Sequence, residues 1–525
     1  MAEATASPVV VDPDDDKITK EILLVSGVVV LGAIMSILDI TVVNVAQRTF
    51  MQVFDEPNLS TVAWTATGYT LALATVIPVT GWAADRFGTK RLYMSAIALF
   101  TLGSLLCATA WNIESLVAFR VLQGLGGGML MPLGMTIMTR AAGPHRMGRL
   151  MAILGIPMLL GPILGPILGG VLIQNLSWHW VFLINLPIGV VALGYAFTVL
   201  PKDAPEPTET FDLVGMLLMS PGLALFLFGV SSIPEKGTVE ATRVLVPTLI
   251  GLALLVTFVF YSFKPRHPLL DLRLFRDRNL TVSILTMVLF IMAFFGTQLL
   301  VPTYFQQVRG ESVLKAGLLV APQGLGAMLT MPIAGNLTDR LPIGRIVPFG
   351  MLGILLGVGG LTMNTGADTP YWHVMLCLFV MGLGMGGTMM PLFTSALKTL
   401  PASQVARGST LLNVAQQVSA SMGVAILTVV LTSSMRDSDV ISAASAVDAA
   451  QQSGSTPPQA ALELVQRLGD GFAHAVTVAM ADAYSHALWV GFALLVAACV
   501  PIAFLPRGME SVPDEDDEAA PVLMH

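Results

Sequence analysis

Apolar residues in this chain come in long unbroken runs, and polar residues are gathered into the short stretches between them. A hydrocarbon core of roughly 30 Å is crossed by about 20 helical residues. Runs of that order are expected at 23–45, 64–83, 92–110, 115–136, 151–173, 179–200, 212–231, 244–263, 281–303, 314–334, 345–363, 372–395, 410–432 and 484–506. They predict fourteen membrane-spanning helices. The runs are continuous rather than alternating, which argues against barrel strands, so the expected class is an all-α membrane protein.

Two charged residues interrupt this pattern at depth. Asp39 stands near the end of the first run, in Leu38-Asp39-Ile40-Thr41-Val42-Val43-Asn44, and Arg120 opens Arg120-Val121-Leu122-Gln123-Gly124 within the fourth. An ionisable group in hydrocarbon is costly, and it needs a partner or a water-filled cavity. Chemical need therefore predicts that Asp39 and Arg120 pair. Snorkelling of Arg120 to an interface is the competing reading.

Composition agrees with a chain dissolved in lipid. Hydrophobic residues make up 54%, charged residues 12%, and the mean hydropathy is +0.76, whereas soluble chains carry about 25% charge. Cys107, Cys377 and Cys499 lie far apart inside apolar segments and read as small core residues. The histidines lack metal-ligand spacing, and no phosphate-binding loop or nucleophile elbow is present. Gly382-x-Gly384-x-x-Gly387 matches a dinucleotide fingerprint by letter, but it sits in an apolar helix and follows no strand. Neither an enzyme, nor a resident cofactor, nor a nucleic-acid partner is expected. The acidic runs Asp12 to Asp16 and Asp514 to Glu518 read as solvated ends without a partner. The N-terminus is acidic and leads into a full-length run, unlike a cleavable signal.

An even number of spans puts both termini on one side. Nineteen Lys and Arg fall on that side and seven on the other, so both ends are expected in the cytoplasm. Residues 264–280 are basic and amphipathic and are expected to lie along the cytoplasmic interface. Residues 433–483 are expected outside, with a helix over 458–468, a mobile remainder, and a role toward an outer partner left open.

The sequence also repeats. Gly81-Trp82-Ala83-Ala84-Asp85-Arg86-Phe87-Gly88 after the second run and Gly335-Asn336-Leu337-Thr338-Asp339-Arg340 after the tenth both read G-x-x-x-D-R. Gly124-Leu125-Gly126-Gly127-Gly128 in the fourth is echoed by Gly382-Leu383-Gly384-Met385-Gly386-Gly387 in the twelfth. The expected organisation is an N-terminal tail (1–22), a six-helix half (23–200), a two-helix insert with its cytoplasmic linker (201–280), a second six-helix half (281–506) and an acidic tail (507–525). Duplicated halves around a central site suit an alternating-access carrier.

Each G-x-x-x-D-R loop has a physical logic. Its glycine lets helices approach, its Asp can accept from a helix N-terminus, and its Arg stays in the cytoplasm. Gly81, Asp85, Arg86, Gly88, Asp339 and Arg340 are accordingly expected to latch one half to the other and release during a cycle; a plain turn is the alternative. In the fifth span Gly161, Pro162, Gly165 and Gly169 set small residues at helical spacing beside bending prolines. They are expected to form a close contact between halves, or a purely structural kink. Asn44, Gln123, Gln298, Gln323, Asn413, Gln416 and Gln417 are candidates for lining a substrate cavity, or else for helix-to-helix hydrogen bonds.

Taken together these residues resemble the major facilitator superfamily over about 23–506, and most nearly its fourteen-helix drug:proton antiporters, the EmrB/QacA-like group. Leu38 to Ala46 looks like that group's first-helix motif, Gly81 to Lys90 its motif A, Arg120 to Gly124 its motif B and the Gly161-Pro162 run its antiporter motif C. Trp178-His179-Trp180-Val181-Phe182-Leu183-Ile184-Asn185-Leu186-Pro187-Ile188-Gly189 also fits. Gln47 and Arg48 depart from the Leu-Pro common in the group, and the second loop departs after Arg340. The resemblance implies a 6 + 2 + 6 fold in a bacterial inner membrane, functional as a monomer. It implies export of small hydrophobic, often cationic compounds against protons, with Asp39 as coupling acid and Arg120 as its relay partner. No acid is evident in the last six spans, which speaks against dication export. Export of an endogenous amphiphile such as a lipid or siderophore is the alternative within transport, and a membrane scaffold or sensor the alternative outside it.

Overall fold

The computed structural model describes residues 18–56, 59–142, 146–202, 210–233, 241–265, 268–398, 400, 404–453 and 456–508, and no strand occurs among the described residues. The acidic runs at both ends lie outside them. The first half contains α1 (Lys20–Val53), α2 (Leu59–Phe87), α3 (Thr89–Ala108), α4 (Ile113–Ala142), α5 (Met147–Asn175), the short α6 (Trp180–Leu183) and α7 (Asn185–Val199). The insert follows as α8 (Leu213–Ser231) and α9 (Thr242–Tyr261). The second half contains α10 (Arg278–Gln307), α11 (Val313–Arg340), α12 (Ile343–Asn364), α13 (Tyr371–Gly386), α14 (Met389–Lys398), α15 (Val405–Arg436), α16 (Asp439–Ser453), α17 (Gln459–Leu468) and α18 (Phe472–Ile502). Thirteen helices among the described residues are long and apolar enough to cross a membrane. The run expected at 151–173 falls in α5, several of whose side chains lie outside the described set.

Short polar connections start these helices by satisfying their free N–H groups. Asn112 and Ser115 cap α4 reciprocally: the Ser115 amide donates to Asn112 Oδ1 at 2.8 Å and the Asn112 amide to Ser115 Oγ at 3.2 Å. Asp277 takes the amides of Asn279 and Leu280 at 2.7 and 3.0 Å. Between α2 and α3 a single residue turns the chain. Gly88 does so at φ 90°, where a side chain would be strained.

Glycines then set which helices nest together. In α4 a Cβ on Gly124 would stand 2.4 Å from the Tyr69 carbonyl of α2, and one on Gly126 2.6 Å from the Phe100 amide of α3. In α13, Gly382 meets the Gln323 carbonyl of α11 at 2.0 Å and Gly384 the Gly350 carbonyl of α12 at 2.4 Å. The echoed sequence therefore does the same job twice: each glycine run lets its helix sink between the two helices before it.

Two features differ from the sequence reading, and a third lay outside it. The linker 264–280 is docked into the protein rather than spread on the interface. Leu269, Leu270 and Leu274 are buried, and Leu272–Arg276 forms a 3₁₀ turn. Pro265 and Pro268 prevent one long amphipathic helix here, and the Leu269 amide is held by the buried Asp212, which also caps α8 and accepts from Tyr261. The stretch 433–483 is mostly helical. Its Ala-rich sequence favours helix without the hydropathy that marks a span. The insert straddles both halves: Ser220 Oγ donates to the Thr75 carbonyl of α2 at 2.8 Å, Trp64 stacks on Phe228, and Ser231 Oγ lies 3.2 Å from Ser421 Oγ of α15.

The two halves meet at the end of the bundle that carries the G-x-x-x-D-R loops. There α5 packs on α11 and α14, and α15 on α2 and α4. At the opposite end the first half closes its own separate core around Phe50, Trp178 and Phe182.

Candidate functional site

Asp39 lies about 29 Å along α1, at 1.5 Å per residue, and it is buried. Its carboxylate accepts three hydrogen bonds. Arg120 Nη1 donates to Oδ2 at 2.5 Å, while Gln123 Nε2 and Asn185 Nδ2 donate to Oδ1 at 2.8 and 3.1 Å. Arg120 and Gln123 are three residues apart and share one face of α4. They also bond to each other, Nη1 to Oε1 at 2.8 Å. The sequence-expected pair is thus direct, and both side chains are 0% exposed, so Arg120 does not snorkel.

The rest of the cluster comes from four further helices. Arg120 Nε donates to the Thr65 carbonyl of α2 at 2.9 Å, and the guanidinium lies 4.1 Å from the centre of the Tyr69 ring, a distance at which a cation is attracted to the ring face. Asn185, the first residue of α7, is placed by the break after α6, and Pro187 is tolerated in the first helical turn. It also donates to Ser104 Oγ of α3 at 3.1 Å, and Ser104 donates to the Phe182 carbonyl at 2.9 Å. Cys107 Sγ approaches Gln123 Oε1 at 3.6 Å. Close packing makes this reach possible, since a Cβ on Gly103 would stand 2.6 Å from Gln123 Cα. Two atoms of the cluster, Arg120 Nη2 and Asn185 Oδ1, are buried with no hydrogen-bond partner among the described residues.

Burying one cation and one anion costs several kcal/mol per ion, and removing one partner costs about 3–5 kcal/mol. A fully apolar core would avoid that cost. The cluster is buried and wired by donors for an ionised Asp39, so adding a proton changes its hydrogen bonding at once.

Gly161 and Gly165 flank this site, but not as a contact between halves. Cβ atoms there would stand 2.1 Å from Ile37 Cγ2 and 2.1 Å from Thr41 Oγ1, and Gly169 faces Val42. The small-residue face therefore packs α5 onto α1 within the first half, two residues either side of Asp39; the side chain of Pro162 lies outside the described set. The contact between halves uses other residues of α5. Asp339 Oδ1 accepts from the Gly148 amide in the first turn of α5 at 2.8 Å, and Oδ2 from Arg149 Nε at 2.8 Å. Gly148 and Gly335 touch across this seam, where a Cβ on Gly148 would stand 2.5 Å from the Gly335 carbonyl. Gly81 faces Thr410 and Ala406 of α15, and Asp85 lies 3.6 Å from Arg140 of its own half. Arg86 and Arg340 are exposed at the same end of the bundle.

The cavity candidates are scattered. Gln123 belongs to the Asp39 cluster, with both ends of its amide engaged. Gln323 donates to Gln298 Oε1 at 3.1 Å, joining α11 to α10. Asn413 is buried and donates to the Ser409 carbonyl at 2.7 Å. Gln416 and Gln417 are half-buried on α15, and Asn44 is exposed. Asn185 and Ser104 were not singled out from sequence as site residues. A polar side chain inside an apolar run was the available signal, and it is a weak one. Asp482 sits on α18, which begins twelve residues before the span expected there, and is exposed.

Comparison with known proteins is consistent across sequence and fold. The family model described as Major Facilitator Superfamily matches residues 29–424. The chain is 47% identical over 498 residues to a multidrug resistance protein B homolog of Mycobacterium tuberculosis, covering 94% of this chain and 92% of the relative. It is 32% identical over 399 residues to the putative multidrug resistance protein MdtD of Salmonella typhi, covering 76% and 84%. Among solved structures it is similar to the proton:xylose symporter XylE, with TM-score 0.57, 15% identity and coverage of 91% and 94%.

Proposed function

This chain belongs to the major facilitator superfamily and is a multi-pass membrane transporter rather than an enzyme, and from that premise we propose that it exports hydrophobic, in part cationic, compounds in exchange for protons. The names of its relatives support multidrug export. The observation that carries proton coupling is the buried Asp39 held by Arg120, Gln123 and Asn185. A carboxyl oxygen that carries a proton no longer accepts from a guanidinium as a carboxylate does, so a proton on Asp39 competes directly with Arg120. Protonation weakens that pairing, α1 moves against α4 and α5, and the two halves rock about the central cavity. The bundle crosses fourteen times when α5 is counted, with both termini in the cytoplasm of a bacterial inner membrane. In this reading the halves are joined at the cytoplasmic end, where Asp339 of α11 accepts from the Gly148 amide and Arg149 of α5. Each proton entering across 100 mV supplies about 2.3 kcal/mol, enough for roughly a fiftyfold substrate gradient at RT of about 0.59 kcal/mol.

The test is uptake of a fluorescent cationic dye into inverted vesicles, together with substrate-induced proton release from purified protein. Asp39→Asn is expected to abolish gradient-driven dye movement while the protein stays folded and inserted. Transport by the wild type that is indifferent to a protonophore would remove proton coupling, and unchanged transport by Asp39→Asn would remove Asp39 from it.

A further inference from the structure

Every partner of Asp39 is a donor, which raises the question of what accepts the proton once the acid is neutral. On Oδ2 a proton would face Arg120 Nη1 at 2.5 Å, donor against donor. On Oδ1 it would face the amide nitrogens of Gln123 and Asn185 at 2.8 and 3.1 Å. One of these amides must turn to offer its oxygen, and the two are not equivalent. Gln123 Oε1 already accepts from Arg120 Nη1 and Cys107 Sγ, and turning it would set its NH₂ against the guanidinium. Asn185 Oδ1 is buried and has no hydrogen-bond partner among the described residues, so turning it breaks no acceptor bond. Ser104 Oγ, 3.1 Å from Asn185 Nδ2, can rotate its hydroxyl away from the Phe182 carbonyl, to which it donates at 2.9 Å, to donate to the oxygen arriving there.

We propose, building on the proton-coupling reading above, that Asn185 is a positioning residue whose side-chain amide rotates by half a turn to accept the proton of neutral Asp39, so that α7 registers the protonation state of α1. In the ionised state its NH₂ faces Asp39, and in the neutral state its oxygen does. An orphan acceptor at Asn185 is exchanged for an orphan donor, and in the neutral state the Phe182 carbonyl gives up its bond from Ser104. The other titratable groups facing Asp39 are Arg120 of α4, Tyr69 of α2 and Cys107 of α3; α5 presents glycines 161 and 165 there. Tyr69 OH lies 3.2 Å from Ser36 Oγ, and Cys107 is turned to Gln123, so neither serves as Asp39's acceptor.

Infrared difference spectra of the full chain in lipid nanodiscs, taken on acidification, test this. A carboxylic-acid C=O band that disappears in Asp39→Asn marks protonated Asp39. In Asn185→Leu that band is expected to move to higher frequency, because the acid has lost its acceptor. Asn185→Gln, which keeps an amide oxygen able to accept, is expected to return the band toward the wild-type position. Asn185→Ala makes the same comparison as leucine with less strain on α7. A band present but unmoved in both apolar variants overturns the role of Asn185 and leaves proton coupling standing. No Asp39-dependent band at any pH overturns both.

Discussion

At the scale of the residue, the proposed coupling rests on how few groups surround one carboxylate. Arg120 makes three kinds of contact at once: with the Asp39 carboxylate, with the Thr65 carbonyl, and with the face of Tyr69. A lysine keeps the charge but not the planar fork, so it cannot hold the carbonyl and the carboxylate together. Arg120→Lys is expected to insert normally and to lower proton-driven transport at least tenfold. Arg120→Met, which strands the acid, is expected to cost about 3–5 kcal/mol of stability in the ionised state. Thermal melting of the detergent-solubilised protein, read beside vesicle transport, checks both; unaltered transport by the lysine variant would mean that charge alone suffices. Asp39 and Arg120 were legible in the sequence because a charge in an apolar run stands out against its neighbours. Gln123 drew attention for a different role, and Asn185 only as part of a family motif, because an amide in a span is compatible with a dozen partners until the helices are placed.

At the scale of the element, glycine spacing fixes which helix faces touch. Gly165 meets Thr41 two residues beyond Asp39, where a Cβ would lie 2.1 Å from Oγ1, whereas Gly170 on the same helix has nothing within 4 Å. Gly165→Ala is expected to push α5 off α1, at about 1–3 kcal/mol for an overpacked contact, and to impair transport. Gly170→Ala is expected to leave both unchanged. Parallel melting curves and transport rates decide this, and equal behaviour of the two variants would deny any role to the Gly165 contact. The stripe itself was visible in the sequence. Its target was not, since a face of small residues announces that a helix comes close without saying which one. Helix boundaries failed for a related reason: hydropathy finds the lipid-crossing part of a helix and misses its polar continuation, as at α16 and at the start of α18.

At the scale of the whole molecule, the halves are joined at one end by groups that can let go. Asp339 on α11 accepts from the Gly148 amide and from Arg149, both at the start of α5, and hydrogen bonds to a charged group contribute about 1.5–3 kcal/mol. Asp339→Asn keeps the shape but gives up the anion at the helix N-terminus and the ion pair. It is expected to shift the conformational equilibrium toward opening of this end by 1–3 kcal/mol at that order of magnitude, seen as a longer population in spin-label distances between the N-terminal part of α5 and the C-terminal part of α11. An unchanged distance distribution would assign the latch to other contacts. The sequence by itself determined the helical class and the presence of an acid and a base within apolar runs, because hydropathy and charge are properties of each segment alone. Only the tertiary structure decided that Asp39 is shared by Arg120, Gln123 and Asn185, that the glycine face of α5 belongs to α1, and that α5 is clasped by Asp339. Each of those pairings depends on which faces of separate helices meet, and packing between surfaces distant in the chain settles that question.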